Sequence, residues 1–174
     1  MIIKKLELQG FKSFPERTKI VFHPGITAIV GPNGTGKSNI VDGILWVLGG
    51  QRHKGLRGEK TEDIIFNGNA KKPPLGMADV SLALQHGEEE IQINHRVFRS
   101  GESEYRLNGK PCRLKDIQDI LWKRAVAEKE YFIIEQGAVG SVLTAKPLEK
   151  RLLVEEAAGI AFYKDKKKEA QSKL

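Results

Sequence analysis

Apolar and polar positions alternate with period two at the start of the chain. Ile2, Lys4, Leu6 and Leu8 interleave with Ile3, Lys5, Glu7 and Gln9. The pattern predicts a strand, and Lys19-Ile20-Val21-Phe22 predicts its partner across a turn at Pro15-Glu16-Arg17. Ile26-Thr27-Ala28-Ile29-Val30 is apolar at all but one position, as in a strand buried on both faces of an α/β sheet. From Lys37 the spacing changes: Ile40, Val41, Ile44, Leu45 and Leu48 recur every three or four residues, which predicts a helix stopped by Gly49-Gly50. Residues 51 to 60 read as a basic loop rich in glycine.

Period two then returns. Val80, Leu82 and Leu84 alternate with Ser81, Ala83 and Gln85; Ile91, Ile93 and His95 follow, and Tyr105-Arg106-Leu107 ends in Asn108-Gly109, a strong hairpin dipeptide. The expectation is a small antiparallel meander. Leu114, Ile117, Ile120 and Leu121 predict a short helix, Tyr131-Phe132-Ile133-Ile134 an apolar strand, and Pro147 the first turn of another helix running to Gly159. Ile160, Tyr163, Lys167, Ala170 and Leu174 fall at alternating spacings of three and four, the rhythm of a coiled-coil seam over two heptads. An ordinary solvated helix fits that stretch as well. The expected organisation is one α/β domain over 1–159 and the root of a coiled-coil arm over 160–174.

Composition narrows the class. The 174 residues are 40% hydrophobic and 29% charged, enough for one core. Twenty-nine Lys and Arg against 22 Asp and Glu leave a net charge of +7, which favours polyanionic partners. Cys112 is the single cysteine, so no internal disulfide is available, and neither a signal peptide nor an apolar run near the ~20 residues of a membrane span is visible. A soluble, cytoplasmic protein is expected.

Candidate chemistry lies at the junction of the Ile26–Val30 run and the helix. Gly31, Pro32, Asn33, Gly34, Thr35, Gly36, Lys37 and Ser38 fit G-x-x-x-x-G-K-[ST], between a predicted strand and a predicted helix. Glycines let the backbone curl so that successive N–H groups face inward, and the helix N-terminus adds partial positive charge; together they form a nest for phosphates. Lys37 is placed to reach the β- and γ-phosphates and Ser38 to ligate Mg²⁺. Hydrolysis also requires an aspartate at the end of another apolar strand. After the loop the only apolar strand ending in a carboxylate is Tyr131–Glu135, followed by Gln136-Gly137, and Asp63 precedes its apolar run. The catalytic set is incomplete.

These residues resemble a known family. "LELQGFKSF" at 6–14, "GITAIVGPNGTGKSNIVDGILWVLG" at 25–49, "LRGEKTEDIIFNG" at 56–68, "SGESEYRLNGKPCRLKDI" at 100–117, "IIEQG" at 133–137 and "KPLEKRLLVEEAAGI" at 146–160 are similar to the N-terminal half of the ATPase head of bacterial structural maintenance of chromosomes (SMC) proteins. The resemblance implies a P-loop NTPase of ABC-type fold: the N-terminal lobe, with a mixed sheet, an antiparallel β meander and the start of a coiled coil. It implies ATP and Mg²⁺ as cofactors, held by Gly31–Ser38 with Lys12, Ser13 and Asn39 alongside. It further implies Gln136 as the Q-loop residue at Mg²⁺ and the attacking water, and Arg57 as a group acting at the nucleotide or at DNA. The missing aspartate and glutamate would come from a C-terminal half of the same head. ATP would be enclosed between two heads in a homodimer, with an accessory kleisin-type subunit, at the nucleoid, and this lobe alone would be inactive. The family's Thr-Gly-Leu-Gly-like stretch is replaced here by Arg124–Glu130, and Glu135 stands where a small residue is common.

A second expectation concerns nucleic acid. Arg52, His53, Lys54, Arg57 and Lys60, with Lys71-Lys72 further on, are dense enough to meet the phosphates of double-stranded DNA, and without aromatic interleaving the contact would be sequence-independent. Two alternatives stay open: a related recombination or repair ATPase with a split head, and a truncated, non-catalytic nucleotide-binding module.

Overall fold

The computed structural model describes residues 1–49 and 61–128, together with Arg151 and Gln171, both helical. Two compact units divide the chain, Met1–Glu128 and Lys129–Leu174, and the described fold is that of the first. The expected basic loop, the 131–134 strand, the helix from Pro147 and the arm root fall wholly or mostly outside the described residues, as does the expected boundary at 159.

Six strands form one antiparallel sheet: β1 (Ile2–Gln9), β2 (Thr18–Val21), β3 (Met77–His86), β4 (Glu89–Phe98), β5 (Ser103–Leu107) and β6 (Lys110–Cys112), in the order β2-β1-β3-β4-β5-β6. Three helices accompany them: α1 (Lys37–Val47), α2 (Thr61–Ile64) and α3 (Leu114–Glu128), the last longer than its sequence pattern implies. The register follows from burial. Leu6 pairs with Leu82 and Leu8 with Val80, while Leu82 faces Ile93 and Leu84 faces Ile91, so one face of the sheet is continuously apolar. The other face carries ion pairs, among them Arg17–Glu7 and Arg96–Asp79. The Asn108-Gly109 expectation holds: both residues have positive φ, 49° and 78°, as a two-residue turn between β5 and β6 requires.

The apolar face is covered by α1. Ile40, Ile44, Leu45, Trp46 and Val47 are buried, and Phe11, from the turn after β1, lies 5.4 Å from Trp46 between ring centroids. Gly43 permits the close approach, since a Cβ there would come within 2.7 Å of Leu8 Cδ2. Trp46 continues into a buried stack, with His95 and then Tyr105 at successive centroid separations of 3.8 Å. At its C-terminus α1 closes as expected, with Gly49 at φ 79° and its amide donating to the Trp46 carbonyl.

Two expectations are corrected. Ile26–Val30 is not a strand: it pairs with no strand among the described residues, and Ile26 and Val30 are 101% and 87% exposed. A strand buried on both faces needs neighbours to pair with and layers to cover it, and the antiparallel sheet supplies neither. Val41, assigned to the apolar side of the helix, is 40% exposed because α1 is buried along Ile40, Ile44 and Val47 instead.

Candidate nucleotide site

Gly31–Ser38 leads into α1 as the motif requires. Gly34 and Gly36 have φ of 82° and 90°, the left-handed region in which glycine carries no Cβ penalty, and Gly36 is the N-cap residue of the helix. Gly36 has no side chain with which to cap, and no acidic residue occupies the first turn. The first amides of α1 therefore face neither a capping oxygen nor a local carboxylate, and the helix dipole adds to their attraction for an anion. Thr35 Oγ1 donates to the Pro32 carbonyl at 2.8 Å and ties the loop across itself. Lys37 Nζ donates to the carbonyls of Gly31 and Pro32, each at 2.7 Å, which holds the ammonium on the loop. Ser38 is the second residue of α1, and Asn33 sits at the loop's turn. Donor amides and one held cation suit a polyphosphate with its magnesium ion.

The Lys12-Ser13 segment is brought to this loop from 24 positions upstream of Gly36 in the case of Lys12 (36 − 12). Lys12 has φ 45°, a conformation L side chains rarely adopt, and its amide donates to the Ile64 carbonyl at 2.8 Å. Its ammonium pairs with Asp42 of α1 at 2.9 Å, and Asn39 donates to Ser13 Oγ at 2.8 Å. Lys12, Ser13 and Asn39, with Asp63, Phe66 and Asn67, line a concavity of about 470 Å³ beside the first turn of α1. Asp42 was not singled out by the sequence pattern. It lies 30 positions from Lys12, and only its place one helical turn beyond Asn39 and Ser38 marks it as facing the same side.

The remaining predicted groups, Arg52, Lys54, Arg57, Lys60 and Gln136, lie outside the described residues. Lys72 of the proposed basic patch pairs with Glu16 at 2.5 Å, so part of its charge is already met; this pairing also holds Glu16 below the usual carboxylate range. Among the described residues no cluster of His, Cys, Asp or Glu could hold a metal by itself, and no helix is long and apolar enough to cross a membrane.

Residues 2–130 match the RecF/RecN/SMC N terminal domain family. The whole chain is 48% identical to the chromosome partition protein Smc of Myxococcus xanthus and spans 15% of that protein's length. Among solved structures, an SMC ATPase studied for ATP-driven dimerization and DNA-stimulated activation superposes with a TM-score of 0.78 at 40% identity, over 89% of this chain and 98% of the other. The Smc head of Pyrococcus furiosus, with an extended coiled coil and bound to the C-terminal domain of ScpA, gives 0.76 at 41% identity, over 98% of this chain and 45% of the other. The family match, the sequence identity and the shared fold agree with the loop's geometry: this chain belongs to the RecF/RecN/SMC N-terminal domain family and has the N-terminal lobe of an SMC ATPase head.

Proposed function

We propose that the chain is the ATP-binding lobe of an SMC-type head that works in chromosome condensation and segregation, in the cytoplasm at the nucleoid. The observation that carries this reading is the uncapped N-terminus of α1 behind Gly34 and Gly36, with Lys37 held on the same loop. The amides of residues 34–38 hold the phosphates, Lys37 reaches them by leaving the Gly31 and Pro32 carbonyls, and Ser38 binds Mg²⁺. Lys12, Ser13 and Asn39 line the site beside the loop. Bound ATP–Mg²⁺ supplies the phosphoanhydride; the described residues bind and orient it.

The cleaving groups come from elsewhere. Arg57 and Gln136 join the site from within this chain, and a C-terminal half of the same head contributes the missing acidic residues. The exposed apolar run Ile26–Val30 supports that division, because it has the composition of a central strand and no partner among the described residues. ATP then sits between two such heads in a homodimer, a kleisin-type subunit binds the assembly as ScpA binds the Pyrococcus head, and Arg52, Lys54, Arg57 and Lys60 meet DNA without reading its sequence.

The test mixes this chain with a C-terminal head half. ATP-dependent dimerisation and turnover that appear only in the mixture, and vanish with Lys37→Ala, are expected. Turnover by the chain alone contradicts the shared site, and a mixture that never dimerises with ATP leaves the non-catalytic module as the better account. Reversal of Arg57 and Lys60 to glutamate is expected to weaken salt-dependent DNA binding by the assembled heads; unchanged binding removes the DNA contact.

A further inference from the structure

Arg99 follows β4 in the turn to β5, outside the concavity, yet among the described residues every hydrogen bond of its guanidinium is made to one loop. Nε donates to the Leu75 carbonyl at 2.7 Å, and Nη2 donates to Asn67 Oδ1 at 3.0 Å and to the Phe66 carbonyl at 3.4 Å. Its backbone amide adds a fourth tie, to the Gly76 carbonyl at 2.9 Å. The loop they hold, residues 66–76, joins α2 to β3 and supplies Phe66 and Asn67 to the concavity beside α1.

From there the connection continues inward. The Phe66 amide donates to the Gly10 carbonyl and the Lys12 amide to the Ile64 carbonyl, both at 2.8 Å. Lys12 has φ 45°, and a non-glycine backbone so disposed persists only where its surroundings over-determine it. The same short turn presents Lys12 to Asp42 and Ser13 to Asn39. We propose that Arg99 is a positioning residue: by clamping the 66–76 loop from outside, it holds the Lys12-Ser13 turn against the nucleotide-binding helix. A planar fork that donates to three acceptors at once is what the arrangement uses, and a lysine ammonium does not reproduce it. The consequence for affinity rests on the ATP-binding reading; the clamp itself does not.

Two measurements on the 174-residue chain separate these. In the ligand-free protein, Arg99→Ala is expected to speed amide exchange at Lys12, Phe66 and Leu75 by about tenfold or more while the β1–β3 ladder keeps its protection, and Arg99→Lys is expected to behave like Arg99→Ala. In titrations with the N-methylanthraniloyl derivative of ATP and magnesium, Arg99→Ala is expected to weaken binding by about tenfold, within the usual range of coupling between sites. Unchanged exchange at those amides, loss of protection throughout the sheet, full rescue by lysine, or loosened amides with unchanged affinity would each overturn the proposal. Failure of the wild-type chain to bind the nucleotide, with no difference on Lys37→Ala, would instead sink the ATP-binding reading, and the exchange result alone would then decide the clamp.

Discussion

The Ser13 hydroxyl fills the space beside Gly36: a Cβ built on Gly36 would overlap Ser13 Oγ and come within 3.5 Å of Phe14. Gly34, two residues away with a similar φ of 82°, has nothing within 4 Å of such a Cβ. The two glycines therefore separate backbone strain from steric contact. Gly34→Ala is expected to cost about 1–2 kcal/mol, the left-handed penalty alone. Gly36→Ala adds displacement of Ser13 and is expected to cost on the order of 2–3 kcal/mol in nucleotide affinity. Titration of both variants with a fluorescent ATP derivative checks the order, and equal losses would show that the Ser13 contact is immaterial.

Gly10 is constrained by the fold rather than by the ligand. Its φ is 64°, and a Cβ would overlap the Met77 carbonyl, a backbone atom that cannot move without disturbing the start of β3. Gly10→Ala is expected to destabilise the domain by roughly 2–4 kcal/mol, in the tail of single-substitution effects. Urea unfolding followed by circular dichroism measures it. A midpoint close to wild type would mean that the β1–β3 junction yields easily.

His95 gives the domain a pH dependence. It is 3% exposed between Trp46 and Tyr105, its Nε2 meets Ser103 Oγ at 2.8 Å, and Nδ1 lacks a hydrogen-bond partner in good geometry among the described residues. Burial pushes its pKa down from 6.5 to about 4, against a smaller opposing influence from the Trp46 backbone. Between those values the unfolded chain binds a proton that the folded chain refuses. Stability is therefore complete above about pH 6.5 and declines as pH falls towards 4, by up to about 3 kcal/mol. His95→Phe keeps a ring in the stack and is expected to flatten that slope relative to wild type. Parallel unfolding curves for the two proteins from pH 7 to 4.5 would rule out His95 as the cause.

The meander, α1 and the Gly31–Ser38 loop ahead of it were legible because each signal is local: period-two alternation, an Asn-Gly turn, and glycines fixed at short spacing ahead of a helical pattern. Ile26–Val30 misled for the same reason. Its composition is local, but strand formation depends on a neighbour, and the neighbour is not among the described residues. The Lys12–Asp42 pair, the seating of Ser13 under Gly36 and the reach of Arg99 to Leu75 span 30, 23 and 24 positions. No propensity or period encodes such contacts. They follow from how the turn after β1 and the loop before β3 are folded onto α1, which only the assembled sheet determines.

That misleading run supplies the last prediction. Ile26 is wholly exposed, so Ile26→Lys removes no contact within the described domain and is expected to shift its stability by no more than about 0.5 kcal/mol. If 26–30 becomes a central strand once a C-terminal head half is added, the same lysine must enter a buried sheet, where an unpaired charge costs several kcal/mol. Ile26→Lys is thus expected to leave the isolated chain's unfolding midpoint in place while weakening its association with the C-terminal half by a hundredfold or more. Isothermal titration of the two halves, with Val21→Lys as a control on the exposed edge strand β2, measures the difference. A mutant that assembles as tightly as wild type would show that this segment stays at the surface in the complete head, and the case for a strand shared with a second half would fail.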